Sequence, residues 1–245
     1  AQKVAINLAV NLKKIYSLDV KIVTFGDNLN IHNIDGVEVI NLECGTSTNK
    51  ITKIVNLVNR IKKLRKIKKN LNITHSISFL TVPNFVNVMS KQNDKIIISI
   101  RNEMSKNEKD IFNTVMHKIE IRKSDKVVAV SKCVLKDEII NYNLKKEKAR
   151  VIYNFCDVEK VVALSKEKIS EKLEEKISGK KVIINIGRLE KQKGQDYLLK
   201  AFKKVLNKIP NAFLIILGKG SLEEELKNEI KKLNLENNVE IIGYV

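Results

Sequence analysis

Apolar runs of five to seven residues recur along the chain, and most lack the alternation of a half-exposed strand. "VKIVTF" (20–25), "VEVINL" (37–42), "HSISFL" (75–80), "KIIISI" (95–100), "KVVAVS" (126–131) and "RVIYN" (150–154) form a first series. "KVIINIG" (181–187), "AFLIILG" (212–218) and "VEIIGY" (239–244) form a second. Continuous apolar runs suit parallel strands covered on both faces. Between them apolar positions return every three or four residues, which predicts helices near 50–69, 83–91, 108–122, 132–143, 157–164, 194–208 and 221–234. The opening "AQKVAINLAVNLKK" adds another, with Val4, Leu8 and Leu12 on one stripe. Strand–helix alternation of this kind predicts an α/β fold of doubly wound parallel sheets with right-handed crossovers.

The pattern breaks once. "SKEKISEKLEEKISGKK", residues 165–181, is highly charged and keeps only Ile169, Leu173 and Ile177 at helical spacing. It predicts a solvated connecting helix and two Rossmann-like domains, 1–178 and 179–245, with separate sheets. Ligands in such sheets bind at the carboxyl ends of the strands.

Composition narrows the function without choosing it. The 245 residues are 43% hydrophobic and 30% charged, as in an ordinary globular protein. No apolar run approaches the roughly 18 residues of a membrane-spanning helix. Cys44, Cys133 and Cys156 never pair as CxxC, which suits buried or incidental thiols in a reducing compartment. His32, His75 and His117 are scattered, so no metal site is expected. The net charge of +18 admits nucleic acid, anionic lipid or a phosphorylated small molecule as partner. Dispersed lysines on solvated faces would give the same number.

The second series begins with the most informative stretch, "VIINIGRLEKQKGQDYLLKAF" (182–202). A strand hands over to a helix through Gly187, Arg188, Lys193 and Gly194. Unpaired N–H groups and the helix dipole favour an anion at such a junction. Gly187 allows a close backbone approach, Arg188 offers a planar fork for phosphate oxygens, and Lys193 adds a compact charge. A surface loop with incidental basic residues remains the alternative.

"INIGRLEKQKGQDYLLKAFKKV" and "LIILGKGSLEEELKNEIKKLNLENNVEIIGYV" resemble the donor-binding half of family-4 glycosyltransferases, retaining enzymes of GT-B fold. "ISIRNEMSK" and "VVAVSKCVLKDEI" resemble the end of that family's N-terminal domain. The resemblance implies two Rossmann-like domains facing a cleft, the second incomplete here. It implies that Arg188 and Lys193 hold the diphosphate of a nucleotide-sugar, that Gly187, Gly194 and Gly218 shape the donor site, and that backbone at Tyr244 and Val245 nears the nucleobase. Ser78, Arg101 and Asn102 are expected to line the acceptor cleft; many relatives carry His where Arg101 stands. The family's first strand, its glycine-rich loop and its paired glutamates are not in the sequence, which is expected to be a segment truncated at both ends. The implied activity is transfer of a sugar, a hexose by expectation, to a glycan or lipid-linked acceptor. Neither a metal nor another cofactor is implied.

"NRIKKLRKIKKN" (59–70) places seven basic residues around Ile61, Leu64 and Ile67. It is either a sheet-covering helix or a helix lying on an anionic membrane surface, at the inner face of the cytoplasmic membrane. His75 opens a strand in a structural position, and Phe79 ends it. Two rival functions are a basic Rossmann-like nucleic-acid-binding module and a GT-B sugar-nucleotide epimerase. Aromatic content of 5%, with no Trp, weighs against the nucleic-acid module.

Overall fold

The computed structural model describes residues 2–26, 33–45, 49–107 and 111–243. The chain divides into two units, Ala1–Cys156 and Asp157–Val245.

The first unit runs α1 (Gln2–Tyr16), β1 (Lys21–Thr24), β2 (Asn33–Ile34), β3 (Val37–Asn41), α2 (Lys50–Asn70), β4 (His75–Phe79), α3 (Thr81–Met89), β5 (Lys95–Ile100), α4 (Met104–Asn107), α5 (Ile111–Lys123), β6 (Lys126–Ala129), α6 (Lys132–Tyr142) and β7 (Ala149–Val151). The first apolar series becomes parallel strands, but among the described residues they make two sheets rather than one. β1 and β3 pair in parallel, with the short β2 antiparallel on β3. β4-β5-β6-β7 form a fully parallel sheet. Each of these crossovers starts at the carboxyl edge and returns to the amino edge, so the helices begin where the strands end.

Ile96, Ile98 and Ile100 of the central β5 are buried with Val127, Ala129, Val134 and Ala149. A second cluster joins the two sheets: Leu42 and Cys44 beyond β3 pack on Leu64 of α2 and Val86 of α3. α2 is not a uniformly solvated basic helix. Lys68 is 3% exposed. Its ammonium donates to Asp94 Oδ2 at 2.7 Å and Asn87 Oδ1 at 2.6 Å, and Ser76 Oγ donates to the same carboxylate oxygen at 2.6 Å. Burial lowers the Lys68 pKa and Asp94 opposes the shift, so the charge needs its partners.

The second unit runs α7 (Val158–Leu164), α8 (Glu171–Ile177), β8 (Lys181–Ile186), α9 (Gln195–Leu206), β9 (Ala212–Leu217), α10 (Glu223–Lys232) and β10 (Val239–Ile242). The boundary therefore falls before the charged stretch and not at residue 178. One attachment of that stretch, invisible to periodicity, is the pair of Lys176 of α8 with Glu240 of β10 at 2.8 Å. The strands form one parallel sheet, β10-β9-β8. β9 is buried along most of its length, and Leu199, Phe202, Leu226, Ile230 and Leu235 pack on it. β8 departs from the expected doubly covered strand. It is an edge among the described residues, and Ile186 is 78% exposed.

Candidate functional site

All three strands of the second unit leave the sheet through a glycine: Gly187 after β8, Gly218 after β9 and Gly243 after β10. Because the strands are parallel, the three exits lie at one edge. The loop after Gly187 carries Arg188, then a single 3-10 turn at Lys191–Lys193, then Gly194 in the left-handed region (φ 65°) as the N-cap of α9. Gly194 is needed there because a side chain at positive φ is strained.

Two backbone contacts fix this loop. Leu189 N donates to the Lys219 carbonyl at 3.1 Å, and Leu222 N donates to the Leu189 carbonyl at 3.1 Å. The approach is so close that a Cβ on Gly218 (φ 149°) would stand 2.0 Å from the Gly187 oxygen. A Cβ on Gly220 would stand 2.2 Å from the Leu189 oxygen. Gly218, expected at the donor site, therefore has a structural duty: its bare backbone lets the two loops touch. Gln195, 1% exposed on α9, donates from Nε2 to the Arg188 carbonyl at 3.0 Å. Ser221 donates to Glu190 across the same pair of loops, Oγ to Oε2 at 3.1 Å.

With the backbone held, the cations stand clear. Arg188 and Lys193 are exposed, and neither side chain makes a hydrogen bond or ion pair among the described residues. The Lys193 stem lies over Gly187, about 3.8 Å from where a Cβ would be. Two unspent cations beside a helix N-terminus can take an anion of several oxygens. Tyr244 and Val245 lie outside the described residues.

In the first unit, an open cavity of about 370 Å³ sits at the carboxyl ends of β5 and β6. Arg101, Asn102, Glu103, Lys106, Ser131 and Cys133 line it. Ser131 caps α6, its Oγ accepting from Val134 N at 3.2 Å. Arg101 donates to the Asn154 amide oxygen, and Lys106 pairs with Glu103 at 2.8 Å. Ser78 does not join Arg101 and Asn102. It is 8% exposed and accepts from Asn87 Nδ2 at 3.1 Å, so it holds α3 to β4. His75 is exposed at the start of β4.

Sequence reasoning missed what stands behind this cavity. His117 of α5 is buried between Glu138 of α6 (Nε2 to Oε2, 2.8 Å) and Glu120 (Nδ1 to Oε2, 3.3 Å), with the Tyr142 ring edge-on at 4.6 Å. Burial works against the charged ring, but the hydrogen bonds and charges of Glu120 and Glu138 outweigh it and push the pKa up to about 9. His117 and Glu120 are an i,i+3 pair on α5, but Glu138 is distant in sequence and only the packing of α6 brings it in. No group of three His, Cys, Asp or Glu residues among the described residues could hold a metal ion.

The sequence profile of the family described as Glycosyl transferases group 1 matches residues 165–245. An uncharacterized glycosyltransferase of Methanocaldococcus jannaschii is 34% identical over 62% of this chain and 38% of its own length. A Campylobacter jejuni N-acetylgalactosamine-N,N'-diacetylbacillosaminyl-diphospho-undecaprenol 4-alpha-N-acetylgalactosaminyltransferase is 29% identical over 92% of this chain and 61% of its own length. The chain thus spans less than two thirds of these relatives. The crystal structure of Anabaena HepE in complex with UDP and glucose superposes with a TM-score of 0.71 at 17% identity, over 98% of this chain and 66% of that one. Residues 165–245 are thus similar to the group 1 glycosyl transferases, and the α/β units share the GT-B fold of the solved glycosyltransferases.

Proposed function

We propose that the full protein moves a sugar, a hexose or its derivative, from a nucleoside-diphosphate sugar to a glycan or lipid-linked acceptor, with retention at the anomeric carbon. The observation that carries this reading is the pair of unpartnered cations, Arg188 and Lys193, on a backbone-locked loop at the N-terminus of α9. Negative charge builds on the diphosphate as the glycosidic bond breaks. Fixed cations that meet this charge stabilise the transition state more than the ground state. The sugar nucleotide is the donor substrate, and the reading calls for no separate cofactor and no nucleic acid. The Campylobacter relative, named for a lipid-diphosphate acceptor, and the Anabaena structure with bound UDP support the substrate classes. Assaying the full protein with a panel of nucleotide-sugars should give transfer and nucleoside diphosphate release. Hydrolysis or epimerisation of the donor without acceptor would overturn transfer.

The same reading places the protein against the inner face of the cytoplasmic membrane. No helix among the described residues is long and apolar enough to cross a membrane. α2 instead exposes Ile51, Ile54, Val55 and Val58, one stripe at helical spacing, beside the exposed Lys53, Lys62 and Lys66. α3 packs on both α2 and α5, and the first turns of α5 expose Ile111 and Val115. An apolar stripe flanked by lysines suits an anionic interface. The full protein should co-sediment with phosphatidylglycerol vesicles, and Ile54→Asp with Val58→Asp should abolish this without changing the melt. Equal sedimentation of the variant would remove α2 from the interface.

A further inference from the structure

The glycine exits of the second unit show a repeated device. Lys193 lays its aliphatic stem over Gly187 at the end of β8. Lys219 does the same over Gly243 at the end of β10, where a Cβ would stand 2.9 Å from Lys219 Cε and 3.8 Å from Nζ. Two lysines from different loops are thus laid on two bare strand ends at one edge of the sheet. At Gly243 a side chain would compete for the space the Lys219 stem occupies, whereas a methyl at Gly187 would meet the Lys193 stem only at ordinary contact distance.

Lys219 is also coupled to the Arg188 loop through the backbone. Its carbonyl accepts from Leu189 N at 3.1 Å, and the neighbouring Gly218 brings its Cβ position within 3.6 Å of Arg188 N. Its side chain is exposed and makes no hydrogen bond or ion pair among the described residues. Three carboxylates on the same two loops and the start of α10 are engaged elsewhere. Glu190 accepts from Ser221, and Glu223 and Glu224 pair with Lys227 at 3.0 and 2.8 Å. Arg188, Lys193 and Lys219 therefore form a group of three uncommitted cations on two loops joined by backbone hydrogen bonds.

We propose that Lys219 is a third cation of the diphosphate site, reaching the donor from the side opposite Lys193. This rests on the reading of Arg188 and Lys193 as the diphosphate grip and adds a specificity element to it. A nucleoside diphosphate meets three charges, two of them on stems pinned to strand ends, whereas a nucleoside engages none of them. The ligand chemistry is a diphosphate ester, and the charge of Lys219 is what matters, not its packing.

The test is binding of UDP, GDP and inorganic pyrophosphate to the full protein by calorimetry, with Lys200→Ala on the exposed face of α9 as control. Lys219→Ala and Lys219→Met should each weaken nucleoside diphosphate and pyrophosphate by about tenfold, the loss of one charged hydrogen bond. Lys219→Arg should restore most of the affinity. Gly243→Ala should weaken binding by a smaller factor with the charge retained, because the new methyl displaces the stem. Arg188→Ala is measured beside them. If Arg188→Ala weakens binding while Lys219→Ala matches Lys200→Ala, Lys219 is not in the site and the donor reading stands. If Lys219→Met binds as wild type, packing and not charge accounts for the residue, and the proposal fails. If neither Arg188→Ala nor Lys219→Ala changes affinity, the diphosphate reading falls and this proposal with it.

Discussion

Each unit presents an arginine where an apolar strand ends, yet the two arginines are built into opposite circumstances. Arg101 follows β5 directly, donates to Asn154 and shares its cavity with the Glu103–Lys106 pair. Arg188 follows β8 and Gly187, and its side chain has no polar partner among the described residues. The supports differ as well. Behind the first cavity, α6 is tied to α5 by a buried imidazole between two carboxylates. Behind Arg188, glycine backbone lies against backbone over an apolar cluster, with the buried Gln195 amide tied to the Arg188 carbonyl. A cation already matched by protein groups gains little from an anion, because ligand contacts replace internal ones. An unmatched cation on a rigid mount gains the full charged hydrogen bond. On the proposed reading the anion belongs to Arg188, while Arg101 is oriented by a neutral amide that holds the guanidinium without cancelling its charge.

The largest test of this contrast is Arg188→Ala in the full protein. Losing a hydrogen bond to a charged group costs about 1.5–3 kcal/mol, or on the order of ten- to a few hundred-fold in rate. The thermal melt should not move, since the side chain is exposed and its removal opens no cavity. Unchanged kcat/KM for transfer would break the assignment, whatever the family resemblance.

Next in size is a test of the mount. Gly218→Ala places a methyl 2.0 Å from the Gly187 oxygen at a φ of 149°, so the loops must part. Strain of this kind costs about 1–3 kcal/mol, a melting shift of several degrees, with weaker UDP binding as the Arg188 loop shifts. Gly187→Ala is the matched control, because its methyl meets only Lys193 side-chain atoms at about 3.8 Å and the fold should be untouched. Equal melting of both variants would mean that the loop contact does not hold the site.

The sequence carried the parallel strands and the loop from Gly187 to Gly194, because each is written in consecutive residues. It could not carry features made by distant segments meeting. Lys68 looks like one more solvated lysine on a basic helix until Asp94 and Asn87 surround it. Ser78 ends a strand, as a cleft residue would, but strand alternation turned it toward Asn87. The division of the first unit's strands into two sheets, the exposure of β8 and the early boundary likewise depend on which neighbours are present. His117 and Glu138 meet only because α5 and α6 pack.

That buried cluster yields the third test, and it concerns only the first unit. The folded pKa of His117 is raised from 6.5 to about 9, so the charged ring is favoured by folding. Its stabilisation is complete below about pH 6.5 and is lost as pH rises through about 9. Limited proteolysis followed by mass spectrometry should show new cleavage around α5 and α6 above about pH 9. The loops at residues 187–194 and 218–222 should be cleaved no faster, because their support is backbone and apolar packing. Cleavage rising equally in both units, or in neither, would show that the imidazole does not hold the first unit together. His117→Gln should flatten the pH response wherever it remains folded, and Glu138→Gln should shift the transition to lower pH.

The smallest expected effect belongs to Asn154→Ala, and it is the finest probe of the contrast. Asn154 occupies the Arg101 guanidinium from outside the core, at an exposed contact. Exposed charged contacts are worth about 0.2–1 kcal/mol, so the fold should hold and rates should change by less than about fivefold. The change should fall on the acceptor KM, since Arg101 lines the first-unit cavity, and the donor KM should stay constant. If Arg101 is a wall, removing Asn154 leaves it slightly freer and slightly less well placed. If Arg101 is instead a reserve anion-binding group, releasing it should make the first-unit cavity bind inorganic phosphate more tightly than in the wild type. Tighter phosphate binding in Asn154→Ala, retained when Arg188 is also replaced by Ala, would overturn the claim that only one of the two arginines is free to hold an anion.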